Sequence, residues 1–185
     1  MSEINKPSHD VLAIVKNDAI EDGIADAIVD RLDQTERLRV VSRHIINLTI
    51  SDVLHIYKHE HEVDPTEVRE ILIAMNAIAM RGDNLLVGLN AQGFANTSDA
   101  LLHLESVKGK VGRDTEDTIR SNFPFSKPDD FSSHSFWFQA PFFVRNRIHS
   151  PHDEVDLSNI ETIALEKGIS IDDIYPRLGH EDFNI

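Results

Sequence analysis

The sequence predicts an α+β domain in which four β-strands form one antiparallel sheet with helices on one face. Two observations support this class. Short apolar runs rich in β-branched residues alternate with longer segments whose apolar residues recur every three or four positions. The elements follow the order strand, helix, strand, two helices, strand, two helices, strand, helix. This order reduces to βαββαβ, the ferredoxin-like arrangement, when each helix pair is counted as one element.

The composition fits one soluble globular domain. The chain has 185 residues, of which 41% are hydrophobic and 27% charged. Its formal net charge of −14 argues against nucleic acid as the main ligand, because that ligand requires a broad basic surface. No apolar run approaches the roughly 18 residues of a membrane helix, and the N-terminus resembles no signal peptide. The absence of cysteine fits a reducing compartment, so we expect a cytoplasmic protein without a membrane partner.

The first half of the chain predicts three strands, at residues 11–16, 38–50 and 84–90. Helices are expected at residues 17–36, 52–60 and 64–80. The apolar residues that define the first helix recur every four positions, at Ile20, Ile24, Ile28 and Leu32. We expect Ser51 to cap the second helix, and Asp64 and Pro65 to start the third.

The second half predicts a helix with its own Ser or Thr cap at residues 97–109, ending at Gly109, and a helical turn near residue 120. Most of the aromatic residues lie between Phe123 and Phe143, in a long insertion before the last strand, which is expected at residues 142–149. A helix at 153–168 and a short helical turn follow. We therefore predict one domain over 1–185, with a core at about 11–165, the insertion at about 122–143 and a C-terminal extension at 166–185.

Four segments, in order, resemble the nucleoside diphosphate kinase family. "AIVKNDAIEDGIADAIVDRL" is similar to the family's first strand, its K-P-D-[GA] turn and its first helix. "DVLHIYKHE" resembles the helix that carries a tyrosine of the nucleotide pocket, and "DTIRSNF" resembles the T-I-R-G-D-F segment. "RNRIHSPHDEVDLSNIETI" resembles the N-x-x-H-G-S-D stretch and the helix after it. The resemblance covers residues 11–165 and implies phosphoryl transfer between nucleotides through a phosphohistidine.

The resemblance also implies roles for individual residues. His149 would be the nucleophile, since a neutral imidazole is a good nucleophile at physiological pH. Glu161 would orient its ring, if one residue is inserted after His149. The side chains that would contact the nucleotide or its phosphates are Lys16, Tyr57, Arg120, Asn146, Lys108 and Arg113. Mg²⁺ would come with the nucleotide rather than from dedicated protein ligands, and the partners would be nucleoside di- and triphosphates and further copies of the chain, as a dimer or higher oligomer.

The chain departs from the family pattern at three places. Ser150 and Pro151 replace the usual Gly-Ser after the histidine, so the serine that links histidine and carboxylate is missing or displaced. Asn17 stands where proline is usual. One alignment puts Glu105 and Val111 where the family has a phosphate-binding arginine and threonine. Another alignment shortens the loop and offers Lys108 with Arg113 or Thr115 instead.

Other interpretations of these residues stay open. A catalytically weak or inactive relative that binds a nucleotide as a regulatory or interaction module would keep the same segments. His149, His152 and Asp153, or the stretch from His59 to Asp64, could form a metal site, although neither matches a defined ligand pattern. Arg120 could pair with Glu116 on one helix face, and Glu161 could lie on a solvated face.

Overall fold

The computed structural model describes residues 8–63, 66–109, 117–124, 135 and 144–176. Four strands form one antiparallel sheet in the order β2-β3-β1-β4. The strands are β1 (Ser8–Val15), β2 (Leu38–Leu48), β3 (Gly82–Gln92) and β4 (Ile148–His149). The α+β class and the four-stranded antiparallel sheet are thus confirmed. The first and last strands lie side by side, which is the strand arrangement that a βαββαβ chain gives.

Helices connect the strands and follow the last of them. The helices before β3 are α1 (Asn17–Glu21), α2 (Ala25–Asp33), α3 (Ile50–Ile56), α4 (Lys58–Val63) and α5 (Glu67–Ala79). Those after it are α6 (Thr97–Lys108), α7 (Ile119–Asn122), α8 (Glu154–Glu166) and α9 (Ile171–Ile174). In the described part of the chain, no helix has the length and apolar character needed to cross a bilayer.

Helices pack on both faces of the sheet, so the prediction of one covered face is wrong. Val11, Ala13 and Val15 point to a core formed with α2 and α6. Leu12 and Ile14 point to a second core formed with α3, α5 and α8. All five side chains are fully buried. An apolar run without alternation is what a strand buried on both faces requires, and "VLAIV" is such a run.

Several predicted helix boundaries are wrong, for local reasons. The predicted helix at 17–36 is two helices, because Gly23 adopts a left-handed φ of 71° between α1 and α2. Thr49, not Ser51, caps α3, in a reciprocal capping box with Asp52. Thr66 caps α5, and Asp64 and Pro65 lie outside the described residues. Asn96 caps α6 in place of the expected Ser or Thr.

The last strand is shorter than predicted. Of the expected strand residues that the structure describes, only Ile148 and His149 pair with β1, opposite Val15 and Ile14. Phe142 and Phe143 of the expected strand, and most of the predicted insertion, lie outside the described residues. The proposed domain boundaries and the role of the aromatic segment therefore stay predictions. The short helical turn in the tail is confirmed by α9.

Gly88 in β3 offers a stability test, because a side chain there would overlap the carbonyl oxygen of Ile174 and the hydroxyl of Ser42. We expect Gly88→Ala to lower the free energy of unfolding by about 2 kcal/mol, measured by urea denaturation. Gly23→Ala is the comparison, since a Cβ at Gly23 meets no atom within 4 Å and carries only the cost of a left-handed φ, about 1 kcal/mol. Equal losses of unfolding free energy in the two variants would show that α9 does not pack closely against β3 at Gly88.

Candidate active site

Segments that are distant in sequence meet at the end of β1. Lys16 follows the last residue of β1, and its backbone N–H donates to the carbonyl of Arg147 at 2.8 Å. The pairing of β4 with β1 places His149 opposite Ile14, two residues before Lys16. The sheet itself therefore fixes a lysine and a histidine at the same end of neighbouring strands.

His149 is buried, with only 5% of its surface exposed. Its Nδ1 lies 3.0 Å from the hydroxyl oxygen of Tyr57, at the end of α3, and the two rings are 4.9 Å apart. Its Nε2 is buried and has no hydrogen-bond partner among the described residues. Burial lowers the pKa of His149 well below its usual value of 6.5, and the nearby Lys108 and Lys16 lower it further. The imidazole is therefore neutral at physiological pH.

Lys16 is the most deeply buried charge near His149, with 1% of its surface exposed. Its Nζ donates to Oδ1 of Asn76 on α5 and to the carbonyl oxygen of Val144, both at 2.9 Å. Burial, followed by repulsion from Arg120, lowers the pKa of Lys16 to about 7. Near neutral pH this side chain is therefore only partly charged in the ligand-free protein.

Two more cations, Lys108 and Arg120, lie near His149. Lys108, in the last turn of α6, is buried, and its pKa falls to about 8 because of burial and the neighbouring Arg120. The guanidinium of Arg120 donates to the carbonyl oxygens of Gly109 at 2.8 Å and Ile148 at 3.2 Å. These carbonyls hold the guanidinium next to the residue that precedes the histidine.

Carboxylates balance part of this positive charge. Glu105 forms an ion pair with Lys108 and accepts a hydrogen bond at 2.9 Å from the hydroxyl of Ser150, the residue after the histidine. Although burial opposes it, the ammonium of Lys108 holds the pKa of Glu105 below its usual value. Glu60 on α4 pairs with Arg69 and with His152, each at 3.1 Å. The hydrogen bond to Glu60 raises the pKa of His152.

These groups surround a cavity of about 300 Å³, a volume that suits a small organic ligand. Its lining combines apolar side chains of α5 with polar and charged groups. The lining residues are Tyr57, Glu60, Arg69, Leu72, Ile73, Asn76, Glu105, Lys108, Arg120, Val144, Asn146, His149 and His152. A neutral imidazole, several cations and an open cavity are the components that a nucleophile needs for attack on an anionic group.

The structure brings most of the predicted site residues together and places others elsewhere. Those around the cavity are His149, Tyr57, Arg120, Asn146 and Lys108. Lys16 lies behind the cavity wall, with its Nζ bonded to Asn76 and Val144 rather than open to a ligand. Each of the two alignments of the α6 region names one residue of the site. Glu105 and Lys108 both line the cavity, and they pair with each other. Arg113, Val111, Thr115 and Glu116 lie outside the described residues.

Glu161 does not orient the histidine in this structure, which corrects that expectation. Its carboxylate accepts a hydrogen bond at 2.9 Å from the hydroxyl of Tyr175, beyond the end of α8. Successive helical residues are separated by about 100° around the helix axis. Because Ile160 and Ile163 point into the core, Glu161 is turned toward the tail of the chain instead.

Sequence reasoning missed Asn76, Glu60 and Ser150. The sequence pattern could have indicated Asn76, since this polar residue lies between Ile73 and Met80, which recur at helical spacing and are buried. An amide on a buried helix face needs a polar partner, and here the partner is Lys16. Glu60 and Ser150 gave no comparable signal, because their contacts cross between elements that are far apart in the sequence.

The rival metal hypothesis gains no support from the described residues, where no group of three or more His, Asp or Glu side chains is arranged to hold a metal ion. His152 bonds to Glu60, and His59 lies 3.1 Å from Asp153. His61 pairs with Glu70. His152, His59 and His61 therefore contact different carboxylates rather than converging on one point.

Comparison with known proteins gives the fold a precedent. The chain is similar to the nucleoside diphosphate kinase from Borrelia burgdorferi, a transition-state mimic with bound vanadate and ADP, at 18% identity and a TM-score of 0.64, over 84% of this chain and 86% of that one. It is also similar to the kinase from Pyrobaculum aerophilum, at 18% identity and a TM-score of 0.63, over 85% and 95%. The kinase from Aquifex aeolicus gives 18% identity and a TM-score of 0.60, over 85% and 94%.

The chain therefore has the fold of nucleoside diphosphate kinases. The fold that the sequence resemblance implied is thereby confirmed. Neither a protein-family model nor a curated protein matches the chain. At this identity the likeness concerns the fold, and the activity has to be argued from the site itself.

The buried neutral state of His149 predicts how stability changes with pH. In the unfolded chain this histidine takes up a proton below about pH 6.5, whereas the folded protein keeps it neutral to lower pH. Its contribution to stability is therefore present above that pH and is lost as the pH falls below it. Between about pH 7 and about pH 5.5 we expect His149→Gln to lose about 1 kcal/mol less unfolding free energy than the unmodified protein, measured by urea denaturation.

His152→Gln is the matched control, because the pKa of His152 is raised rather than lowered. Its protonation stabilises the folded state at low pH, and this contribution is lost as the pH rises. We therefore expect the substitution of His152 to increase the loss of stability on acidification. If His149→Gln lost as much stability on acidification as the unmodified protein, the neutral buried state of His149 would be refuted.

Proposed function

We propose that the protein is a nucleoside diphosphate kinase-like phosphotransferase, which moves the γ-phosphate of a nucleoside triphosphate to a nucleoside diphosphate through phosphorylated His149. One observation carries the proposal. A neutral, buried imidazole lies with its Nδ1 toward Tyr57, at a cavity that Lys108 and Arg120 also line. The fold shared with nucleoside diphosphate kinases supports it.

Nδ1 is the attacking nitrogen in this proposal, since Nε2 is buried, whereas the hydroxyl next to Nδ1 belongs to another lining residue. The hydroxyl of Tyr57 first releases Nδ1, whose lone pair then attacks the γ-phosphorus. The bond from that phosphorus to the bridging oxygen breaks, and the nucleoside diphosphate leaves with the electron pair. An oxygen of the second diphosphate then attacks the phosphohistidine. The P–N bond breaks and returns the lone pair to Nδ1.

Tyr57 has a positioning role in the ligand-free site. Burial raises the pKa of its phenol, so the hydroxyl stays protonated. Its contact at 3.0 Å fixes the direction of Nδ1, and the ring contact at 4.9 Å limits rotation of the imidazole. Asn146 lines the same cavity and would contact a nucleotide hydroxyl, in the role that the family resemblance implies.

The cations supply the electrostatic part of the reaction. Lys108 and Arg120 line the cavity and would contact phosphate oxygens, on which charge is spread during transfer. Lys16 acts from behind the cavity wall, as a charge near His149. The approach of a polyphosphate would favour its protonated form, because an opposite charge raises the pKa of an amine.

Mg²⁺ is expected to arrive with the nucleotide. The donor chemistry of the cavity fits this ion, since Glu60 and Glu105 offer carboxylate oxygens at its lining. When bound, the ion would neutralise phosphate charge. The residues of the chain then have to bind the phosphates, exclude water and hold Nδ1 in line with the phosphorus.

A second candidate function is nucleotide binding without phosphate transfer. The observation that favours it is the buried Nε2 of His149, which has no carboxylate partner among the described residues. A partner at that nitrogen normally fixes the tautomer and makes the other nitrogen more basic. In such a binding module the cavity would keep its phosphate contacts while the nucleophile reacts poorly.

The labelling experiment separates these functions. We expect incubation with γ-labelled ATP and magnesium to give an acid-labile, base-stable label on the protein, because a P–N bond has those properties. The label should move to an added nucleoside diphosphate. His149→Ala should abolish the label, and His55→Ala, which removes an exposed histidine away from the cavity, should retain it.

Binding has to be measured on the same samples by titration calorimetry. Nucleotide binding without label would favour the binding module over the kinase. If neither label nor binding were found, both functions would be wrong, and the fold would serve another purpose. Label that persists in His149→Ala would mean that a different residue is the nucleophile.

A further inference from the structure

Glu105 is an anion inside a site that is otherwise built to bind anions. Its carboxylate pairs with Lys108, accepts the hydroxyl of Ser150 at 2.9 Å and lies 4.0 Å from Nδ1 of His152. The Lys108 side chain is only 3% exposed and that of Glu105 is 29% exposed. The cation is therefore closed off from solvent by its partner, while the carboxylate remains partly open.

The other two cations near His149 differ from Lys108 in this respect. Lys16 donates to an amide and a carbonyl oxygen, and Arg120 donates to the carbonyl oxygens of Gly109 and Ile148. Neutral oxygens hold these cations without cancelling their charge. Lys108 is the cation of this trio that a carboxylate neutralises directly.

A polyphosphate that reaches Lys108 must come close to Glu105. Two anions that lie close together repel each other strongly where the protein partly excludes water. The repulsion disappears if a divalent cation lies between the carboxylate and the phosphate oxygens. Mg²⁺ commonly binds in this way, through one or two carboxylates together with substrate phosphates.

We infer that Glu105 makes the cavity selective for polyphosphates complexed with a divalent cation over free polyphosphates, an inference that rests on the proposed function. Glu105 is thus a specificity-determining residue. The fold places Glu105 beside these groups because Lys108 lies one helical turn later on α6, and because Ser150 comes directly after the last residue of β4. The family resemblance assigned no such role to an acidic residue at this position.

The test is the affinity for ADP in excess Mg²⁺ and in EDTA, measured by titration calorimetry. For the unmodified protein we expect binding about tenfold or more tighter with Mg²⁺. Glu105→Gln keeps the size of the side chain and removes its charge. We expect this variant to bind free ADP more tightly than the unmodified protein, so that the ratio between the two conditions falls toward one.

Glu154→Gln is the matched control. Glu154 undergoes the same chemical change and is exposed at the start of α8, where it accepts a hydrogen bond from Ser98 and does not line the cavity. Its Mg²⁺ ratio should equal that of the unmodified protein. Glu105→Asp retains the charge and should retain the preference, and Glu105→Ala removes the charge in a second way if Glu105→Gln does not fold.

The outcomes separate this inference from the proposed function. ADP binding with the same Mg²⁺ ratio in the unmodified protein and Glu105→Gln would overturn the role of Glu105 alone. An equal weakening of both affinities in Glu105→Gln would show that Glu105 only supports the structure of α6. Failure of every variant to bind ADP under both conditions would overturn the proposed function, and this inference with it.

Discussion

The burial of Lys16 beside His149 is the constraint that organises this structure. An ammonium group removed from water is costly unless oxygen atoms surround it. Those oxygens come from Asn76 on α5 and from Val144 in the segment before β4. The lysine at the end of β1 therefore ties together a helix, a central strand and the short last strand, and any displacement of these elements would leave its charge without partners.

The same constraint shapes the charge distribution around the cavity. Lys16, Lys108 and Arg120 repel one another, and this repulsion contributes to the lowered pKa values of both lysines. Carbonyl oxygens stabilise Arg120 without removing its charge, whereas Glu105 neutralises Lys108. His149 stays neutral because its burial, and secondly the nearby cations, disfavour the charged imidazolium. The neutral imidazole is thus a consequence of burial in a positively charged surrounding.

The sequence predicts those features of the fold that depend on local pattern and order. The apolar run at Val11–Val15 and the helical spacing at Ile28 and Leu32 indicate the correct element types, and the order of elements indicates the sheet. Helix boundaries are harder to predict from the sequence, because Gly23 and Thr49 act through backbone geometry that periodicity does not reveal.

For the site, motif resemblance indicates residues that lie on a regular element or directly after one, such as His149 on β4 and Tyr57 after α3. It fails where a side chain's direction depends on helix rotation, as for Glu161, or where contacts cross between distant elements, as for Glu105 with Ser150. Among the described residues, Nε2 of His149 has no carboxylate partner, whereas Lys108 has one in Glu105. Under the proposed function, both features would weaken the binding and activation of a phosphate that carries no divalent cation.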